Sequence, residues 1–437
     1  MATALLEKIG LERVPQEQKT TSWLEYAIMQ LSFSANTGNF LLPALAVLHG
    51  GLSPLAAFGS TFIGATLAFI LVSLLTLPGS RLGLPAQYVM RLLLGTKLSR
   101  FFASPVRSIT SLYWFSVQTI GGTYVIQSIT EIVLGKKAPF IPIALLLAII
   151  MSVLAVVGFH AVKNAIKLFL PLLLTGQLLM LFLLVPSYQT SVSASEGPFS
   201  WSMFMLYVGL TFVQYVSGVS ASSDITRYAK SPTQGAVGVG IGNIIGFAIT
   251  AVIAILCATV YQTSNPFVSL IDEATSVWII IILGCYAVLS MVSINLSNAY
   301  TGSFSLLNIF PQIGRMTSAA VFGIIATLTS LYTPLVTEAQ GIIQLFGYVI
   351  IPVSAIIVAQ YSIVKRLRLT EQEVLQLTTN VPTKRISVFS LLFGAVVYIL
   401  LPDSISPGFV TFIITFTFYL IGKRNELRLA EKNVVSA

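Results

Sequence analysis

Apolar residues in this chain come in runs of about 20, separated by short polar stretches. Runs of that length match the hydrocarbon thickness a helix has to cross. They predict an all-α polytopic membrane protein with about twelve transmembrane helices. The spans fall at about 23–48, 54–78, 108–132, 139–158, 165–186, 202–223, 235–261, 275–298, 316–333, 340–364, 386–401 and 407–422. Residues 1–22 and 423–437 read as polar tails. The first apolar run belongs to a full span, so no cleavable signal peptide is expected.

Two spans are interrupted. The first carries SFSANTGN, Ser32 to Asn39, near its middle, and the sixth carries VSGVSASSD, Val216 to Asp224. Small and polar residues there weaken the helix and leave backbone groups to satisfy, which at membrane depth is tolerated only beside a cavity or inside protein. Breaks in the first and sixth spans are the placement expected for two five-helix repeats of inverted topology, 23–186 and 202–364, with two additional helices at 386–422. The alternative for either break alone is close helix packing through small residues.

Charge adds an orientation. Of the 24 Lys and Arg, all but Lys136 and Lys137 fall on one side when the spans are threaded back and forth. Cytoplasmic loops hold such residues, so both termini are expected inside, in a plasma or inner membrane. The net charge of +9 is explained by that bias and does not call for nucleic acid. Only 9% of residues are charged, against about 25% in soluble domains, which leaves no room for a soluble domain. Cys257 and Cys285 lie inside apolar runs and are expected to be packed thiols.

The candidate chemistry is amide and aromatic. Trp114 and Gln118 share one face of the third span, a flat indole beside a group that both donates and accepts. Asn295 and Asn298 lie three apart in the eighth span, near Ser290, Ser293 and Tyr300, and Gln214 adjoins Tyr215 in the sixth. Amides within a span need partners or a cavity, and the bland reading of any one of them is an interhelical clamp. Trp114 has its own alternative, an interfacial aromatic belt. Intramembrane carboxylates are nearly absent, with Asp224 at the inner end of the sixth span, so no central proton relay stands out. His160 and Lys167 mark an interface, with proton handling a remote option. No catalytic set, metal-ligand cluster or phosphate loop appears, so neither an enzyme nor a cofactor is expected.

These residues resemble the purine/cytosine permease branch of the nucleobase–cation symporter family. LERVPQEQKTTSW is similar to that family's entry to helix one, FSAN to its unwound centre and WFSVQ to its helix-three motif. SDITRYAKSP looks like its loop after helix six, and NLSNAYT fits an N-x-x-N-x-Y-[ST] pattern in helix eight. The resemblance runs in order along about the first 310 residues. It implies a LeuT-like fold and cation-driven uptake of nucleobases or related rings by alternating access. Carried over, Trp114 stacks on the base, Gln118 bonds its edge, and Asn298 with Asn295 reads the opposite edge. Ser34 and Asn36 border the pocket, and Tyr215 takes the place of the helix-six aromatic. Where some members carry Gly-Trp, this chain has Gln214-Tyr215 or, on another alignment, Ser217-Gly218. Sodium-using relatives present two neighbouring hydroxyls in helix eight, whereas here Ser293 is followed by Ile294. A sodium site would draw on Ser290, Ser293 and the helix-one backbone, and the coupling ion is open between sodium and a proton.

The expected function is import of cytosine or a purine. A transporter of hydantoin, allantoin, uracil or hydroxymethylpyrimidine is the alternative within the class, and a channel or receptor-like membrane protein the alternative outside it. The expected partners are the base and the lipid bilayer. Oligomeric state is open, a monomer being sufficient.

Overall fold

The computed structural model describes residues 10–156, 159–191, 199–378 and 380–435, and every regular element longer than an isolated bridge in them is helical. The chain enters its first helix through a capping box. Ser22 Oγ accepts from the Glu25 N–H, and the Glu25 carboxylate accepts from the Ser22 N–H. That reciprocal pair fixes the start of α1 (Trp23–Ser34). The helix stops at Ala35 and Asn36, both extended, and restarts as α2 (Thr37–Leu48) on an axis turned by 58°. Asn36 supplies the chemistry of the break. Its Oδ1 caps α2 by accepting from the Asn39 N–H at 3.0 Å, and its NH₂ donates back to the Phe33 carbonyl. A short amide thus offers the backbone the partners that a continuous helix would give. The interruption expected between Ser32 and Asn39 is present.

The other long elements are α3 (Pro54–Leu74), α4 (Ser104–Leu134), α5 (Phe140–Val156), α6 (Phe159–Ser191) and α7 (Trp201–Val216). A 3₁₀ turn, Ser217–Ser220, joins α7 to the short α8 (Ser222–Thr226). Then follow α9 (Pro232–Tyr261), α10 (Val277–Ile309), α11 (Gly314–Thr329), α12 (Ala339–Ala359), α13 (Arg385–Leu400) and α14 (Pro407–Val435). Among the described residues six helical stretches are long and apolar enough to cross a bilayer, and the bent α1–α2 pair makes a seventh. The protein is a multi-pass membrane protein. The sequence interruption from Val216 to Asp224 coincides with the change of helix type after α7. The sharp bend belongs to the first span alone among the described residues.

Some boundaries differ from those read off the apolar runs. The fifth span, expected over 165–186, extends as α6 from Phe159 to Ser191, and the eighth, expected to end near 298, runs on to Ile309. Polar residues between 298 and 309 do not break the helix, because α4 buries them: Gly302 accepts from Ser108 Oγ at 3.1 Å. Cys257 is packed as expected, but Cys285 is exposed on the outside of the bundle.

The helices gather into two groups. α1, α2, α3, α7 and α9 pack chiefly on one another, and α4, α5, α10 and α11 form the second group. α6 bridges α1, α9 and α10, while α12, α13 and α14 pack together at the side of α7. Contact between α1 and α9 depends on missing side chains. A Cβ on Gly238, Gly242 or Gly246 would lie 2.3 Å from Trp23 O, 2.6 Å from Ala27 O or 2.1 Å from Ser34 Oγ. These glycines recur every four residues, on one face of α9.

Basic side chains meet at one end of the bundle. Arg91 donates to Asn308, Arg100 to the Ile309 carbonyl, and Arg227 to the Gly10 carbonyl. Arg13 pairs with Glu371 at 2.9 Å there.

Candidate functional site

A cavity of about 190 Å³ lies between the two groups, beside the break in the first span. A single water needs about 10–15 Å³ on the same kind of measure, so there is space for a small organic molecule. Its walls come from both groups: Asn36 and Asn39 at the break, Trp114 and Gln118 of α4, Gln214 and Tyr215 of α7, Asn298 of α10. Among the described residues Arg107 is its one charged lining residue, and no carboxylate lines it.

The break is where these side chains converge. Gln118 Nε2 donates to Asn36 Oδ1 at 2.6 Å, and Gln214 Nε2 donates to the Gly38 carbonyl at 3.3 Å. Asn39 Nδ2 closes the gap by donating to the Ser34 carbonyl at 2.7 Å. Close approach is possible because residue 38 has no side chain. A Cβ on Gly38 would sit 2.8 Å from Gln118 Nε2 and 3.1 Å from the Trp114 ring. Trp114 therefore lies against the break with its half-buried indole in the cavity wall, not in an interfacial belt. Tyr215 completes an aromatic corner, with ring centroids 4.7 Å from Phe69 and 5.3 Å from Phe247.

Seven of the eight residues expected to bind substrate, Ser34, Asn36, Trp114, Gln118, Gln214, Tyr215 and Asn298, line this one cavity. Asn295 does not. It is fully buried, its NH₂ donates to the Phe115 carbonyl at 3.0 Å, and its Oδ1 accepts from Asn298 Nδ2 at 3.1 Å. The residue ties α10 to α4 and to Asn298, and it is not among the residues that line the cavity. The two serines proposed for an ion also separate. Ser290 Oγ donates to the Ala35 carbonyl at the break, whereas Ser293 Oγ is spent on the Leu289 carbonyl of its own helix at 2.7 Å. Among the described residues no group of three His, Cys, Asp or Glu is placed to hold a metal ion.

Asn39, Asn243, Phe69, Phe247 and Arg107 also line the cavity, and the sequence reading had not singled them out. Asn39 lay within the quoted interruption. The others sit on helices whose composition does not set them apart.

A charged group lies at the basic end, past the last turn of α7. Asp224 is fully buried, with one oxygen accepting from the Ala86 N–H at 2.8 Å. Burial pushes its carboxyl up to about 7, against the opposing pull of that N–H and of Arg227, Arg107 and Arg315. Arg227 donates to Tyr300 Oη at 2.9 Å, which joins the loop after α7 to α10. Nearby, Glu25 and Lys163 pair at 3.4 Å and tie α1 to α6. The side chains of His160 and Lys167 lie outside the described residues.

A bundle in two groups, with a polar cavity at a broken helix between them, defines a membrane carrier of the LeuT-like fold. The chain is similar in structure to Mhp1, a nucleobase–cation-symport-1 family transporter, in a closed conformation with bromovinylhydantoin bound. That match has a TM-score of 0.80 and 16% identity over 96% of this chain and 95% of the other. The inward-facing conformation of Mhp1 gives 0.75 at 16% identity, covering 96% of each chain. A sodium-coupled sialic acid symporter in a substrate-bound outward-open state gives 0.64 at 13% identity, over 93% and 91%. No curated protein matches the chain by sequence. The family model described as permease for cytosine/purines, uracil, thiamine, allantoin matches residues 13–382, and the chain belongs to that family. It is a permease for a small nucleobase-like solute, not an enzyme.

Proposed function

We propose that the protein imports a neutral planar nucleobase, cytosine or a purine, by secondary active transport coupled to sodium or a proton. The observation that carries this reading is the convergence of one indole and several carboxamides on the break in the first span. An aromatic face and amides on more than one side match the ring face and the N–H, C=O and NH₂ edges of a base. Trp114 stacks on the ring, Gln118 meets one edge, Gln214 a second, and Asn298 bonds the ring from α10. The two helix groups then rock about the cavity to expose it to each side in turn. Hydantoin, allantoin, uracil and hydroxymethylpyrimidine remain the competing solutes, since each offers similar edges.

The finer architecture belongs to the same proposal. About twelve spans form inverted repeats over 23–186 and 202–364, discontinuous at the first and sixth, followed by two further helices over 386–422. The basic end faces the cytoplasm of a plasma or inner membrane, with both tails there. A sodium ion, if it is the coupling ion, would draw on the Ala35 carbonyl and Ser290 Oγ at the break. Ser293, bound to its own helix, weakens that site, which keeps a proton in contention.

Uptake into proteoliposomes tests the reading. Labelled cytosine and adenine should accumulate under a sodium or a proton gradient, show counterflow, and lose saturable uptake in Trp114→Ala. Flux without counterflow, or saturable uptake unchanged in Trp114→Ala, would overturn it.

A further inference from the structure

The orientation of two carboxamides in the cavity is dictated by backbone groups. The Asn39 N–H requires an oxygen from Asn36, and the Phe33 and Ser34 carbonyls require its NH₂, so that amide has one possible orientation. Its Oδ1 in turn demands the NH₂ of Gln118, 2.6 Å away, and turns the Gln118 oxygen elsewhere. Gln214 is settled in one step, because the Gly38 carbonyl at 3.3 Å can only receive its NH₂. The Oε1 atoms of Gln118 and Gln214 are both buried and have no hydrogen-bond partner among the described residues. Both side chains line the cavity. Two cavity-lining residues, on helices of opposite groups and each anchored to the same short break, thus each hold a fixed, buried acceptor oxygen with no protein partner among the described residues.

We infer that Gln214 is a specificity-determining residue: together with Gln118 it makes the cavity select neutral rings that donate N–H on two different edges. This deepens the heterocycle-transport reading and rests on it. A ring that presents a lone pair to either oxygen sets acceptor against acceptor. A ring that has lost its N–H proton does the same with a full charge, and Arg107, the one cationic lining residue among those described, is about two turns from Trp114 along α4. Gln118 alone asks for one donor. Gln214 asks for the second, and so separates a ring with two free N–H edges from one with a single free edge.

The test is equilibrium binding to the purified full-length protein. The probes are cytosine, adenine, uracil and hydantoin, each with its singly N-methylated derivatives. For the ring that binds tightest, methylation at either of two N–H edges should weaken binding about tenfold or more. In Gln214→Leu the penalty at one of those edges should disappear while the other persists, a coupling that a merely structural residue would not produce. A parent ring whose affinity survives methylation at all but one edge overturns the inference, and the wild-type panel alone decides this if the variant fails to fold. A folded Gln214→Leu that keeps both penalties also overturns it. If none of the four rings binds, the heterocycle reading itself fails and takes this inference with it.

Discussion

Asn295 and Asn298 are chemically identical and stand three residues apart, yet their work differs. A separation of three leaves side chains about 60° apart around a helix, enough for one to face α4 and the other the cavity. Asn295 spends its NH₂ on the Phe115 carbonyl and its oxygen on Asn298, so it is a brace. Truncation to Ala should cost about 1–3 kcal/mol of stability, since it strips buried polar partners. Asn298→Ala should instead lower ring affinity with a smaller effect on stability. Thermal denaturation of both variants in detergent, beside ring binding, checks this; equal stability losses would contradict the division of labour. The sequence showed that both amides needed partners. It did not show which would meet α4, because that depends on how two distant helices are rotated.

Among the helices, the break in the first span was legible because Ser32–Asn39 packs several helix-weakening residues into the middle of an apolar run. The change after α7 was legible for the same reason, but not its form as a 3₁₀ turn followed by α8. The glycine face of α9 was not read at all, since glycines in membrane helices are common and their partner is invisible in one sequence. It is the seam along which α1 lies. Gly246→Leu would drive a branched side chain into Ser34 beside the break, where even a Cβ comes within 2.1 Å of Ser34 Oγ. The expected result is loss of monodisperse folded protein, measured by size-exclusion profile and melting temperature. A variant that melts like the wild type would show that α1 and α9 part easily.

In the whole molecule, Arg13, Arg91, Arg100 and Arg227 gather at one end, and the least expected charge lies among them. Asp224 is buried beside three arginines, and its carboxyl holds a proton up to about pH 7, above the ordinary value near 4. The folded protein therefore binds that proton more tightly than the unfolded chain does. Its contribution to stability is full below about pH 4 and is lost as pH rises to about 7. The melting-temperature difference between the wild type and Asp224→Asn should follow that course and level off above neutrality. A difference independent of pH would place the proton elsewhere. The sequence put Asp224 at a helix end, where solvent would be the default, and only the packed fold shows it enclosed.

The gap in the first span has one more implication. A carrier makes half of each cycle without its passenger, and raw peptide edges left facing oil would be a burden on that return trip. Here the Phe33 and Ser34 carbonyls are already taken by Asn36 and Asn39, two side chains from the same stretch of chain. The chain thus supplies its own stopper for the gap and does not borrow one from its cargo.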